Sequence, residues 1–143
     1  MAITEDDRTS ETGLFNYADA YLKAGDRIFD PSARGWNNAP AKMLHYHAVE
    51  LYLKAYLRAQ NVSAADLKGR QFGHRLFVIA AEAKSRGLEV PQNILEFLEQ
   101  ADELNDPIES RYLRNRNGPY IQPAEVKNCA HEVRSLARIA LGF

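Results

Sequence analysis

Cysteine is almost missing from this sequence: Cys129 is the only one. A disulfide framework within the chain and a zinc site built on cysteines are both excluded. Long apolar runs are missing too. None approaches the roughly 18 residues that a transmembrane helix needs, so no membrane span is expected. Neither sign of charge dominates: 18 Lys and Arg stand against 19 Asp and Glu. So balanced a chain has no global attraction for nucleic acid or acidic membranes, and any such role must come from a local patch. No glycine-rich phosphate loop occurs. Gly69, Gly73 and Gly87 stand alone as loop or cap glycines. The histidines His45, His47, His74 and His131 include no HxxxH or HExxH pair, so no metal and no cofactor is expected. No stretch alternates with period two for long enough to be a strand. The N-terminal MAITEDDRTS is acidic and has no apolar centre, unlike a signal peptide, and the expectation is a cytoplasmic protein.

What the sequence has is helical period. On a wheel of about 100° per residue, Leu44, Ala48, Leu51, Tyr52, Ala55, Tyr56 and Ala59 make one broad apolar arc. Met43, Tyr46, Val49, Leu53 and Leu57 extend it round the back. The polar residues His47, Glu50, Lys54 and Arg58 are squeezed into a wedge of about 80°. A helix apolar nearly all round is packed by neighbours on most sides. The stretch from Met43 to Gln60 is therefore predicted to be the central helix of an all-α bundle, with one polar strip left open.

Along the rest of the chain, residues 1–11 read as a flexible N-terminus and 12–143 as a single helical domain. Leu14, Phe15, Ala18, Tyr21, Leu22, Ile28 and Phe29 predict a first amphipathic helix over Thr12 to Asp30, with Gly25 its weak point. The loop Pro31 to Pro40 holds Trp36, read as an anchor over the bundle end or as a ligand contact. Asn38 is the expected N-cap of the central helix, with Pro40 in its first turn. A third helix is predicted over Gly73 to Arg86, ended by Gly87, and a fourth opens at Pro91. Asp106-Pro107 kinks that helix or starts another with Asp106 as cap, and Pro107 to Arg116 is helical in pattern. Pro123 opens a last helix to Leu141. The fold class is thus an up-and-down bundle of four to five helices.

Two groups of polar residues carry the functional reading. Arg111, Arg114 and Arg116 cluster before Asn117 and Tyr120, while Lys127, His131, Arg134 and Arg138 recur at intervals of four, three and four. If the helices fold back antiparallel, the two sets form one basic surface suited to phosphate. A solvated face, partly neutralised by Glu109, Glu125 and Glu132, explains them equally. The strip His47, Glu50 and Lys54 forms ligand or subunit contacts in a groove, or a helix pair worth a few tenths of a kcal/mol on a surface. His45 falls in the apolar arc and points away from His47, so the two cannot share a metal. It and Cys129 read as packing residues.

Three segments together resemble the HEPN family, the helical domain named for higher eukaryotic and prokaryotic nucleotide binding. They are YHAVELYLKAYLRAQN (Tyr46 to Asn61), FGHRLFVIAAEAKSRG (Phe72 to Gly87) and LNDPIESRYLRNRNGPY (Leu104 to Tyr120). The first is similar to the family's second helix with its Glu. The second is similar to its His-x-Leu helix, here His74 and Leu76. The third is similar to its segment with an aromatic-flanked Arg followed by Arg-Asn. The resemblance implies a helical bundle and a homodimer. Many members are ribonucleases of toxin–antitoxin or defence systems; others are non-catalytic partners of small nucleotidyltransferases. In the ribonucleases an Arg and a polar residue precede a His by four to six positions. Arg114 and Asn115 match the start, but the candidate His positions hold Gly118, Pro119 and Tyr120.

The leading expectation is therefore a non-catalytic module that binds nucleotide, RNA or a partner protein such as a nucleotidyltransferase. The first alternative is a metal-independent ribonuclease in which His47, His74 or Tyr120 replaces the missing base and Arg114 steadies the phosphate. The second is a helical adaptor with no nucleic-acid role.

Overall fold

The structure, a computed structural model, describes residues 3–69, 72–112 and 120–143. It is 73% helical with no strand among the described residues, so the chain is all-α. The elements are α1 (Glu5–Arg8), α2 (Glu11–Ile28), a 3₁₀ turn (Gly35–Asn38), α3 (Ala39–Ala59) and α4 (Ala64–Lys68), followed by α5 (Leu76–Ser85), α6 (Gln92–Glu103), α7 (Asp106–Glu109) and α8 (Pro123–Leu141). No described helix is long and apolar enough to cross a membrane.

Helix α3 is the axis. Helices α2 and α8 pack along it, α5 packs on it as well, and α6 closes over α5. Tyr52, Leu53, Leu57 and Val49 of α3 are wholly buried, with Ile79, Leu98, Val126 and Val133 from its neighbours. Each such side chain contributes about 1.5–3 kcal/mol by leaving water. Helix α2 faces α3 with Phe15, Ala18, Leu22 and Gly25, spaced three, four and three apart on one helical face. Ser10 starts it by accepting the Gly13 N–H at 2.9 Å. Helix α8 keeps the bounds expected from Pro123 and ends at Gly142, whose φ of +76° suits a left-handed C-terminal residue.

Local departures from the expectation have physical causes. Thr4 caps α1, a turn with no expected counterpart, and Asp6 Oδ1 accepts the Ala64 N–H of α4 at 2.7 Å. Asn38 sits at the cap position of α3 but does not cap it. Its amide turns back to the Asp30 backbone, donating to the carbonyl at 2.7 Å and accepting the N–H at 2.9 Å. Asp106 does not cap α7 either. That place belongs to Asn105, in the left-handed region at φ +53°, and Asp106 is buried inside the helix. Helix α5 begins at Leu76 rather than Gly73, because Asp102 of α6 receives the Leu76 and Phe77 N–H groups at 3.2 and 2.8 Å. Trp36 anchors nothing: it is 65% exposed. Of the segment from Pro107 to Arg116, helix α7 covers the start, and Arg114 and Arg116 lie outside the described residues.

Candidate functional site

Spacings of three and four place His47, Glu50 and Lys54 on one face of α3. The strip is not open. Glu50 is buried, 6% exposed, and Lys54 Nζ meets its Oε2 at 3.0 Å. On the other side His74 Nδ1 lies 2.9 Å from Glu50 Oε1. His74 comes from the turn before α5, where Gly73 takes φ +51°, a conformation that costs a glycine little. At the far end of the strip, Arg58 Nε donates to the Thr9 carbonyl at 2.9 Å and is covered by the N-terminal turn.

The electrostatics fix the roles. Burial pushes the Glu50 carboxyl up, but Lys54 and the hydrogen bond from His74 outweigh it, so it is held below its ordinary range. An ionised carboxylate only accepts, so the His74 nitrogen facing it is the protonated one. A neutral His74 then keeps Nε2 as an acceptor, on a side chain that is 55% exposed. Burial holds His47 below its ordinary value, with Glu50 pulling up and Arg111, His74 and Lys54 pushing down. Its ring meets Tyr21 edge-on at 4.4 Å.

Arg111 completes the group. It lines the same cleft as Met43, His47, Glu50, His74 and Ile108, and among the described residues it makes no ion pair. Its place depends on α7, which a buried ion pair holds to α3. Lys42 Nζ lies 2.8 Å from Asp106 Oδ2, and Tyr46 donates its hydroxyl to the same carboxylate. Lys42 also stands 4.4 Å over the Tyr120 ring. The cleft has a volume of about 10 Å³, room for about one water. Of its polar lining residues, Arg111 and His74 are exposed to solvent.

Of the expected basic surface, Arg111 and the α8 residues lie among the described residues. On α8, Arg134 Nε reaches Asp19 Oδ1 at 2.8 Å, and His131 Nε2 reaches Asp26 Oδ2 at 2.8 Å. Lys127 lies over the Phe29 ring at 4.8 Å and Arg138 donates to the Phe143 carbonyl. Acids of α2 have taken up the stripe. Asp26 also accepts from the wholly buried His45, Nε2 to Oδ1 at 2.8 Å, so one carboxylate links α2, α3 and α8. Arg114 and Asn115 lie outside the described residues. Tyr120 lines a separate cavity of about 330 Å³ with Phe29, Arg34 and Asn38. Cys129 is buried and its thiol is pushed up to about 12 by burial, which makes it a poor nucleophile.

Sequence reading had grouped His47, Glu50 and Lys54 and had singled out His74 and Arg111 separately. Their meeting needed the tertiary fold. The role of Asp19, Asp26 and Asp106 had no local signal beyond an acid at a helix position. Among the described residues no three His, Cys, Asp or Glu side chains gather to hold a metal. Chemically the group brings together a guanidinium, two imidazoles and a ring nitrogen oriented by a carboxylate. No protein-family model matches the sequence, and no curated protein or solved structure is significantly similar to it.

Proposed function

We propose that the chain is a HEPN-like helical module that binds the phosphate of a nucleotide or RNA at the mouth of the Arg111–His74–His47 group. The observation that carries this is the charge balance around Glu50. Its single negative charge is met by Lys54 at 3.0 Å, which leaves Arg111 as surplus positive charge beside two imidazoles. A guanidinium holds its charge and grips phosphate oxygens through paired N–H donors. The same reading carries a homodimer, checked by light scattering, and a partner such as a nucleotidyltransferase.

The test is binding of a labelled single-stranded RNA at graded salt. Affinity falls steeply as salt rises, and Arg111→Ala weakens it about tenfold and reduces the salt slope by about 1. Absence of binding by the parent protein at low salt, or an Arg111→Ala variant that binds equally well, rejects the reading.

A second reading rests on the Glu50–His74 pair, in which a carboxylate orients an exposed imidazole. A neutral imidazole can take the 2′-hydroxyl proton of RNA without a metal, worth about 10² to 10⁴ in rate. RNA incubated with the protein in EDTA then acquires 2′,3′-cyclic phosphate ends, and His74→Ala and Glu50→Gln each remove that cleavage. Intact RNA leaves the binding reading alone.

A further inference from the structure

Two exposed aromatic rings stand next to the basic group. Trp36, the only tryptophan, is 65% exposed, and Tyr112 is 70% exposed. They come from different elements, the 3₁₀ turn before α3 and the turn after α7, yet both line one cavity of about 340 Å³ with Pro40, Met43 and Arg111. Met43 and Arg111 also line the cleft at Glu50. The cavity thus has two aromatic rings in its lining, and through Met43 and Arg111 it adjoins the basic group.

Both rings are carried on hydrogen-bonded turns. Asn38 clamps the chain beside Trp36 to the Asp30 backbone, and Asn37 Nδ2 donates to the Arg34 carbonyl at 3.1 Å. The Arg111 and Tyr112 N–H groups donate to Ile108 and Glu109 at 3.1 and 3.0 Å. Single exposed apolar side chains need no explanation. Two aromatic rings from separate elements, facing one cavity of ligand size with a cation at its edge, do.

Resting on the phosphate reading above, we infer that the cavity lined by Trp36 and Tyr112 stacks an unpaired nucleobase whose phosphate is held at Arg111. Planar aromatic faces suit a base, the guanidinium suits its phosphate, and a nucleotide unit carries both. The ligand class is a base-bearing phosphate, free or within single-stranded RNA, rather than inorganic phosphate or a sugar phosphate. Stacking is tolerant of base identity, because every base has a π face.

Trp36 is its own reporter. Adenosine 5′-monophosphate and a short oligoadenylate are titrated while tryptophan emission is read, with ribose 5-phosphate as the ligand that lacks a base. Saturable quenching is expected from the two base-bearing ligands, the stronger response showing whether a free nucleotide or a strand fits. Ribose 5-phosphate is expected not to quench, but to compete. By calorimetry, Trp36→Ala and Tyr112→Ala weaken the nucleotide by about five- to a hundred-fold and leave ribose 5-phosphate unchanged. Both side chains are exposed, so both variants keep the parent's helical circular dichroism. If nucleotide and ribose 5-phosphate bind equally and Trp36→Ala changes neither, stacking is wrong and the phosphate reading stands. If Trp36 is quenched but Arg111→Ala has no effect, the phosphate reading falls and stacking stands. If no ligand binds, both fall.

Discussion

Oε1 of Glu50 and Nδ1 of His74 are 2.9 Å apart, joining a carboxylate that is 6% exposed to an imidazole that faces solvent. The two partners of this bond should respond very differently to substitution. Glu50→Gln leaves Lys54 without its counter-charge in a largely buried place, and about 1–3 kcal/mol of stability is lost. His74→Ala removes a half-exposed ring and costs under about 1 kcal/mol. Urea unfolding of both variants checks this; equal losses would show that His74 is a structural residue rather than a ligand contact.

Mild acid should destabilise the fold through His45. Burial holds this ring below its ordinary value of 6.5; Asp26 of α2 opposes the shift, and His131 and Lys127 of α8 add to it. Near pH 6.5 the unfolded chain binds a proton that the folded chain refuses. Stability is therefore full above about 6.5 and declines as pH falls through that value, by up to about 1.4 kcal/mol per pH unit. Burial shifts His47 the same way and adds to the effect. The urea midpoint, followed from neutral to mildly acid pH, should drop in the parent and drop less in His45→Asn. An unchanged midpoint in the parent excludes the effect.

Gly25→Ala is expected to destabilise, against its helix propensity. Alanine gains about 1 kcal/mol over glycine inside a helix. Here its Cβ would stand 2.8 Å from Cδ2 and Nε2 of His45. That ring is wholly buried and bonded to Asp26, so it cannot step aside cheaply. Overpacking costs about 1–3 kcal/mol, and a net loss of about 1 kcal/mol follows. A thermal melt above the parent's would mean that the ring relocates freely.

Lys42→Met should be among the most damaging single changes. Lys42 and Asp106 are 3% and 1% exposed, and the substitution removes a cation that lies 2.8 Å from a buried carboxylate. About 3–5 kcal/mol is expected, with Asp106→Asn milder because the amide still accepts from Tyr46. The double variant should lose less than the two singles added together. Asp106→Asn should also weaken nucleotide binding, since Asp106 ties α7, and with it Arg111, to α3. Strict additivity in unfolding would show that the pair is not coupled.

Helices were legible where period and end signals agree. The bounds of α8 follow from Pro123 and the apolar positions Val126, Ala130, Val133 and Ala137, and α2 follows from Phe15, Ala18 and Leu22. The polar strip of α3 was legible as a strip but not as a buried one, because its cover comes from Asp6, Thr9 and His74, distant in sequence. The α8 stripe was open to two readings, a phosphate surface or a solvated face, since nothing local announces that Asp19 and Asp26 lie opposite it. Trp36 stayed between anchor and ligand contact, because a large apolar ring is usually covered and no local rule marks the one that is not. Asn38 and Asp106 carry the right chemistry for caps, but longer-range partners claimed their side chains.

Asp102 shows what such a long-range partner does for a helix end. Helix α5 has 10 residues, too short to persist alone in water. Both backbone donors at its start are answered by a carboxylate of α6. A fragment that stops before Gln92 keeps the α3 surface on which α5 packs but loses the carboxylate at its first turn, and α5 is expected to fray from that end. Removing that carboxylate, as in Asp102→Ala, is therefore expected to speed solvent exchange of the amides at the start of α5 more than of those in its later turns.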